Sequence, residues 1–464
     1  MNGETRKLLE HVVEIASEFL DGLPERPVGP SATAEQLHAA LGGELPQEGS
    51  SDLEVIDELA AAVEPGLMGT TSGRFFGFVI GGALPSTIAA DWLTSVWDQN
   101  SGLYAAAPAE AVVEDVAAAW LLELLGLPPG CAVGFVTGAQ MANFTGLAVA
   151  RHHVLESAGW DVEAHGLQGA PKIRVVAGEE RHATIDRALR FLGLGRDTLE
   201  LVPADDQGRL SIDALPGVLG YDDGPLIVCT QAGNVNTGSF DPVGEICDIV
   251  HERGGWVHVD GAFGLWAAVS EELRHLVTGV ERADSWGTDA HKWLNVPYDC
   301  GIVISAHPET HAAALGVRAS YLIHSGMERD AMSWVPEFSR RARGFTVYTA
   351  IKALGRIGIT AMVERCCKHA RTFAVSLGSL PDVEILNDVV LNQVLVRFIA
   401  ADDAASDART KAIVEAVQSD GTCWLSGSTW KGKGVMRISV SNWSTSDEDV
   451  EMSVEAITRI AASI

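Results

Sequence analysis

"AVGFVTGAQMANFTGLAVA", Ala132–Ala150, reads as a strand, a glycine-containing turn and then a helix. Short β-rich runs of the same kind recur as "KIRVVAG" (172–178), "PLIVCTQA" (225–232), "GWVHVDGA" (255–262) and "CGIVISA" (300–306). They alternate with helical segments such as "PAEAVVEDVAAAWLLELLG" (108–126). Most of these runs are nearly continuous in apolar residues, the pattern of strands buried on both faces. Strand and helix in alternation predict an open α/β layer around a mostly parallel sheet.

Working outward, residues 72–310 form this large α/β unit. Residues 1–71 read as two amphipathic helical stretches joined by "DGLPERPVGPSATAEQL", with too little apolar surface to fold alone. Residues 311–464 change pattern again: a helix-rich stretch leads to "VEILNDVVLNQVLVRFI", then "GVMRISVSN" and a terminal helix. That order predicts a smaller α+β C-terminal domain.

Composition narrows the function. Of the 464 residues 47% are hydrophobic and 20% charged, a balance that supports a globular core rather than disorder. The formal net charge is −29, from 33 basic and 62 acidic side chains, a field that repels nucleic-acid phosphates and anionic lipid. The seven cysteines show neither CxxC pairs nor Cys/His ligand spacing, so no metal site is expected and a reducing, cytoplasmic setting fits. "MNGETRKLLEHVVEIA" lacks a signal-peptide core, and the apolar region 105–136 is interrupted by acids, so no membrane span is expected.

In doubly wound sheets ligands collect at the carboxyl ends of strands. Thr137, Gly138, Ala139 and Gln140 offer backbone N–H groups at a helix start, a seat for an anion or an ordinary tight turn. His182 follows the next strand, as a ring to stack on a planar ligand, an acid/base or a cap. "VCTQAGNVNTGSFDP" leaves its strand dense in Thr, Gly and Asn, able to hydrogen-bond a ligand or simply to turn. Asp260 ends an apolar strand, and a buried carboxylate requires a partner: a metal, a base or a protonated ring nitrogen. His258 shares its strand face, but no further carboxylate completes a metal set. Lys292 lies in "TDAHKWLNVPYDCG" among apolar and aromatic residues, where desolvation favours a nucleophilic amine able to form a Schiff base. An anion seat, a stacking imidazole, a carboxylate and a Schiff-base lysine, in this chain order, are the parts that pyridoxal 5′-phosphate (PLP) requires.

With "HVDGAFG" and "DAHKWLNVPYDCG" on the page, the chain resembles the group II PLP-dependent amino-acid decarboxylases of fold type I, in the aspartate aminotransferase superfamily. This group includes aromatic amino-acid, histidine, glutamate and tyrosine decarboxylases. The resemblance runs from "SGRFFGF" (Ser72–Phe78) to "SVSNWST" (Ser439–Thr445). It implies the PLP-dependent transferase fold, with Lys292 carrying PLP as an internal aldimine. His182 would stack on the ring, Asp260 pair with the pyridine nitrogen and Ala262 touch the opposite face. Gly138, Ala139, Gln140 and His291 would hold the phosphate, with Thr230 and Asn234 beside cofactor and substrate. It also implies decarboxylation of an L-amino acid to amine and CO2 through a quinonoid carbanion. A homodimer with shared active sites is implied, the N-terminal arm serving as clasp.

Three places depart from the family pattern. Asp289 stands where several members carry Asn, and an anion there would repel phosphate unless it points away or a basic group holds it. In Tyr321–Gly344, Asp330 falls near the position of the family's loop tyrosine, and Tyr321 is the only tyrosine nearby. "FFGFVIGG" brings Val79, Ile80 and Gly81 to the entrance, and "DQNSGLY" is the segment expected from the partner. The missing tyrosine keeps open decarboxylation-dependent deamination, transamination or C–C bond chemistry, and an aldehyde-releasing lyase of the sphingosine-phosphate type is a further alternative.

Overall fold

The computed structural model describes residues 3–221, 224–317 and 329–464, and the alternating runs become one seven-stranded sheet. Its strands are β1 (Ala132–Val136), β2 (Arg174–Gly178), β3 (Leu199–Val202), β4 (Leu226–Gln231), β5 (Trp256–Asp260), β6 (Ser285–Asp289) and β7 (Gly301–Ser305), in the order β1-β7-β6-β5-β4-β2-β3. β3, β2, β4, β5 and β6 pair in parallel, whereas β7 runs antiparallel to both of its neighbours. Every residue of β1, β4, β5, β6 and β7 is buried, which favours apolar side chains on both faces, a preference that β6 follows least. Alternation divides them: Val175, Ala177, Ile227 and Cys229 pack with helices Ala139–Ser157 and Ala183–Phe191. Val176, Val228, Val257 and Val259 face the opposite core with helix Val243–His251. β3 and β6 escape the apolar-run reading, because β3 is a half-exposed edge and β6 buries Ser285, Thr288 and Asp289.

Helix Ala139–Ser157 lies close on the sheet because two glycines leave room. A Cβ on Gly146 would stand 2.7 Å from His258 Cε1, and one on Gly287 would stand 2.6 Å from Asn143 Oδ1. The helix Gly344–Gly378 is broken at Gly355, whose φ of +60° suits glycine, and joins helices Pro85–Trp97 and Pro108–Leu125 to the C-terminal sheet. That second sheet is antiparallel: β8 (Val383–Ile385), β9 (Gln393–Phe398), β10 (Ser426–Trp430) and β11 (Lys433–Ser439), ordered β10-β11-β9-β8.

The N-terminal arm holds three helices rather than two: Gly3–Gly22, Ala34–Leu41 and Asp52–Val63. Capping boxes at Thr33/Gln36 and Ser51/Glu54 start the second and third. None of the three has a buried residue. All seven cysteines are free. Among the described residues no helix is long and apolar enough to cross a membrane.

Candidate active site

The strand register brings the predicted residues to one edge. Gln231 is level with Asp260, Asp260 with Gly287, Asp289 with Gly301, and Gly301 with Val136. At this carboxyl edge opens a cavity of about 290 Å³. Gly138, Ala139, Gln140, His182, Asp260, Ala262, His291 and Lys292 all line it, joined by Phe78, Thr184, Gln231, Gly233, Val235, Phe263 and Asp289. Thr230 and Asn234 do not line it, although Gln231, Gly233 and Val235 beside them do. Thr230 falls on the other parity of β4, its hydroxyl turned to the His258 carbonyl, and Asn234 donates to the Glu180 carbonyl at 3.0 Å. A cavity of about 860 Å³ elsewhere contains none of these groups, and its Arg209 and Arg282 are paired with Asp205 and Asp248.

β6 ends at Asp289 and passes into the single turn Ala290–Trp293, whose Trp293 is fully buried beside Leu294 and Val296. The "FFGFVIGG" segment closes over this turn so tightly that a Cβ on Gly81 would lie 1.6 Å from the Lys292 carbonyl oxygen. Phe78 and Val79 pay for that path with left-handed φ values of 55° and 61°. Lys292 is not the isolated dry amine that its neighbours suggest. Its Nζ lies 3.0 Å from Asp289 Oδ2, and the two side chains are 19% and 3% exposed. Asp289 Oδ1 accepts the Ala139 N–H at 2.6 Å and stands 3.4 Å from His291 Nε2. His291 Nδ1 accepts the Cys300 N–H at 3.1 Å, so a neutral ring carries its proton on Nε2, toward Asp289. Burial holds the His291 pKa below the usual histidine value.

Asp260 is fixed by three donors: Asn143 Nδ2 at 2.9 Å, Thr184 Oγ1 at 3.3 Å and the Ala262 N–H at 3.2 Å. Behind Asn143 runs a buried chain with one direction. Trp256 Nε1 can only donate, and it reaches Ser285 Oγ at 2.9 Å. Ser285 then donates to His258 Nδ1 at 2.8 Å, and His258 Nε2 donates to Asn143 Oδ1 at 3.0 Å. The Asp260 carboxylate can only accept, so Asn143 turns its NH2 toward it and its Oδ1 toward His258 Nε2. Burial pushes the His258 pKa down to about 4, so the imidazole stays neutral and this polarity holds. His258 is an orienting group rather than a metal ligand; among the described residues no cluster of His, Cys, Asp or Glu is arranged to hold a metal. His182 caps helix Ala183–Phe191, its Nδ1 accepting the Thr184 N–H at 3.3 Å. Burial lowers its pKa, Asp260 opposes this, and the charges of Lys292 and Arg437 lower it further.

Arg437 does not line the cavity but stands behind its wall residue Val235, a position not legible in the sequence. It lies on β11, buried, donating to the carbonyl of Val235 at 3.3 Å, with Nε unpartnered. Burial lowers its pKa, and among the described residues no carboxylate pairs with it. Its signal was weak: one arginine in an otherwise apolar strand, "GVMRISV". Asp330 accepts the Tyr104 N–H at 2.9 Å, and Tyr321 lies outside the described residues. Within its own chain the 98–104 segment packs on residues 332 and 340, through Ser101 N–H to the Arg340 carbonyl and Met332 N–H to the Gly102 carbonyl, each 3.0 Å.

The pyridoxal-dependent decarboxylase conserved domain matches residues 34–399. The chain is 27% identical to the aromatic-L-amino-acid decarboxylase of Bacillus atrophaeus over 96% of this chain and 93% of that protein. It is 26% identical to the enzyme of the same name from Sus scrofa, over 99% and 96%. Its fold is similar to that of Oryza sativa TDC with PLP and tryptamine (TM-score 0.93, 23% identity, 100% of this chain and 98% of that one). Mouse CSAD is also similar (TM-score 0.91, 23% identity, 99% of each chain). A domain match over most of the chain, on a fold whose strand ends gather a lysine, a braced carboxylate and a helix start, makes this protein a member of the pyridoxal-dependent decarboxylase family, a PLP-dependent carboxy-lyase.

Proposed function

We propose that this enzyme removes the α-carboxylate of an L-amino acid as CO2 and releases the amine. The observation that carries the reading is the cavity itself, with Lys292 and the braced Asp260 on its wall beside the start of helix Ala139–Ser157. The residues present fit PLP. An anion, the Asp289 carboxylate, already accepts the Ala139 N–H, and a Cβ on Gly138 would crowd His291 Cε1 to 3.2 Å. When bound, PLP supplies an aldehyde for the amine and an electron sink for the pair left as CO2 departs.

Lys292 Nζ is the covalent anchor. Gly138, Ala139, Gln140 and His291 take the phosphate, through backbone N–H groups and the Nε2 proton. Asp260 keeps its lone pairs toward the cavity as the acceptor for a ring N–H, while its other bonds hold it in place. His182 and Ala262, both on the cavity wall, would stand beside the ring. Arg437 is the unclaimed cation for the substrate carboxylate, a buried guanidinium behind Val235. Phe78, Phe263 and Val235 give the cavity apolar walls, suited to an aromatic or large apolar substrate side chain, in keeping with the names of the relatives.

A homodimer fits the exposed apolar surface of the arm and its neighbour, where Leu9, Val13, Leu53, Trp92, Val96 and Trp97 all reach solvent. Free thiols without disulfides suit a reducing, cytoplasmic setting. The test is incubation of the PLP-loaded protein with each of the twenty amino acids, reading CO2, amine and aldehyde by mass spectrometry. Amine and CO2 in equal amounts from one or a few substrates is the expected result. No CO2 from any amino acid, or aldehyde with ammonia in place of amine, refutes it.

A further inference from the structure

Asp289 occupies the place that the reading above gives to the cofactor phosphate. Its Oδ1 takes the Ala139 N–H at 2.6 Å, at the start of a helix that runs to Ser157, and stands 3.4 Å from His291 Nε2. Its Oδ2 takes the charge of Lys292 at 3.0 Å. The carboxylate is 3% exposed, and its neighbours are the groups any incoming anion needs. Trp266 Nε1 donates to the Asp289 backbone carbonyl at 3.3 Å, and the Asp289 N–H donates to the Ala262 carbonyl at 2.9 Å. The main chain is therefore pinned, and the carboxylate can leave only by rotating its side chain. Two anions cannot share one helix start and one imidazole N–H without repulsion in so dry a place.

We propose that Asp289 is an internal anion that competes with the cofactor phosphate for the start of helix Ala139–Ser157, and so sets how tightly this chain holds PLP. The inference rests on the phosphate seat assigned above. It accounts for the aspartate as the chain's own occupant of that seat, neutralised by Lys292 with the His291 Nε2–H beside it until phosphate arrives. Asp289→Asn keeps the shape and the acceptor for Ala139 N–H but removes the charge.

The test uses the full-length apoprotein and two probes that form no bond to Lys292: pyridoxine 5′-phosphate and pyridoxine. Isothermal titration gives the affinity ratio between them, which isolates the phosphate. In Asp289→Asn the phosphorylated probe should bind about tenfold tighter or better, about 1.4 kcal/mol, with pyridoxine unchanged. Inorganic phosphate should compete correspondingly better against it. Equal or weaker binding of pyridoxine 5′-phosphate by the variant overturns the proposal, because Asp289 would then be indifferent to the phosphate or help to hold it. His291→Ala separates the two levels. If it keeps the wild-type preference for the phosphorylated probe, the phosphate seat is misplaced; if it loses that preference while Asp289→Asn is neutral, only the competition fails. Asp289→Ser, checked by circular dichroism, substitutes for Asn if that variant does not fold, and the same two outcomes decide.

Discussion

Ser285→Ala is the sharpest probe of the chain that orients Asp260, because Ser285 touches neither Asp260 nor the cavity lining. Removing its hydroxyl leaves Trp256 Nε1–H without an acceptor and His258 Nδ1 without a donor, both fully enclosed. Each abandoned buried group costs about 1–3 kcal/mol, so with two of them unfolding should become easier by about 2–6 kcal/mol. A second effect travels along the chain. Without the Ser285 proton, His258 can carry its hydrogen on Nδ1 and present a bare Nε2 to Asn143, which then turns its NH2 away from Asp260. The carboxylate loses its 2.9 Å donor and faces an amide oxygen instead. A charge-assisted hydrogen bond contributes about 1.5–3 kcal/mol, so kcat should fall about ten- to a hundredfold. KM should change little, since no substrate contact is lost. Urea denaturation and steady-state kinetics at pH 7.5 read the two effects separately. A variant destabilised as expected but with unchanged kcat would refute the ordered chain and leave Ser285 a packing residue.

Four further outcomes follow from the same geometry. In His258 the folded pKa of about 4 lies below the ordinary 6.5, so its contribution to stability is complete above pH 6.5 and is lost as pH falls toward 4. The full effect is about 3 kcal/mol, and His258→Asn should flatten that acid limb in denaturant titrations. Glu110 has the opposite sign: burial and the neighbouring Glu114, itself 2.6 Å from Arg340, push its pKa up to about 8. Its contribution is complete below about 4.5 and lost as pH rises through 8, so Glu110→Gln should raise Tm by several degrees at pH 8.5 and scarcely at pH 4. Arg437→Met should lower kcat/KM about thirtyfold or more through lost carboxylate binding, with the PLP dissociation constant unchanged in a fluorescence titration. Borohydride treatment of the PLP-loaded enzyme should leave the cofactor mass on the Lys292 peptide and on no other, and Lys292→Ala should abolish it.

What the sequence made legible, and what it did not, divides by how each residue reaches the site. Gly138, His182, Asp260 and Lys292 lie just past strand ends, so an apolar run followed by a break is enough to nominate them. Asn143 and Arg437 carry no such local mark: Asn143 sits within a helix, 117 positions from the Asp260 it braces, and Arg437 comes from the other sheet. At β4, where neighbouring positions face opposite cores, Gln231 rather than Thr230 lines the cavity, a choice of parity that the apolar run alone does not announce. β6 was hidden for the reverse reason. Its burial is sustained by specific hydrogen bonds to Ser285 and Asp289 rather than by apolar side chains, and those partners, Trp256 and His258 of β5 for Ser285 and the start of helix Ala139–Ser157 for Asp289, are assembled only by the fold. Asp289 joins the two cases. The sequence exposes it as a charge in the wrong company, and only the fold shows the company to be cationic. An anion buried between a lysine, an imidazole N–H and a helix start is stable there for the same electrostatic reasons that a phosphate would be, so its presence argues for the anion seat and against its being free for the cofactor.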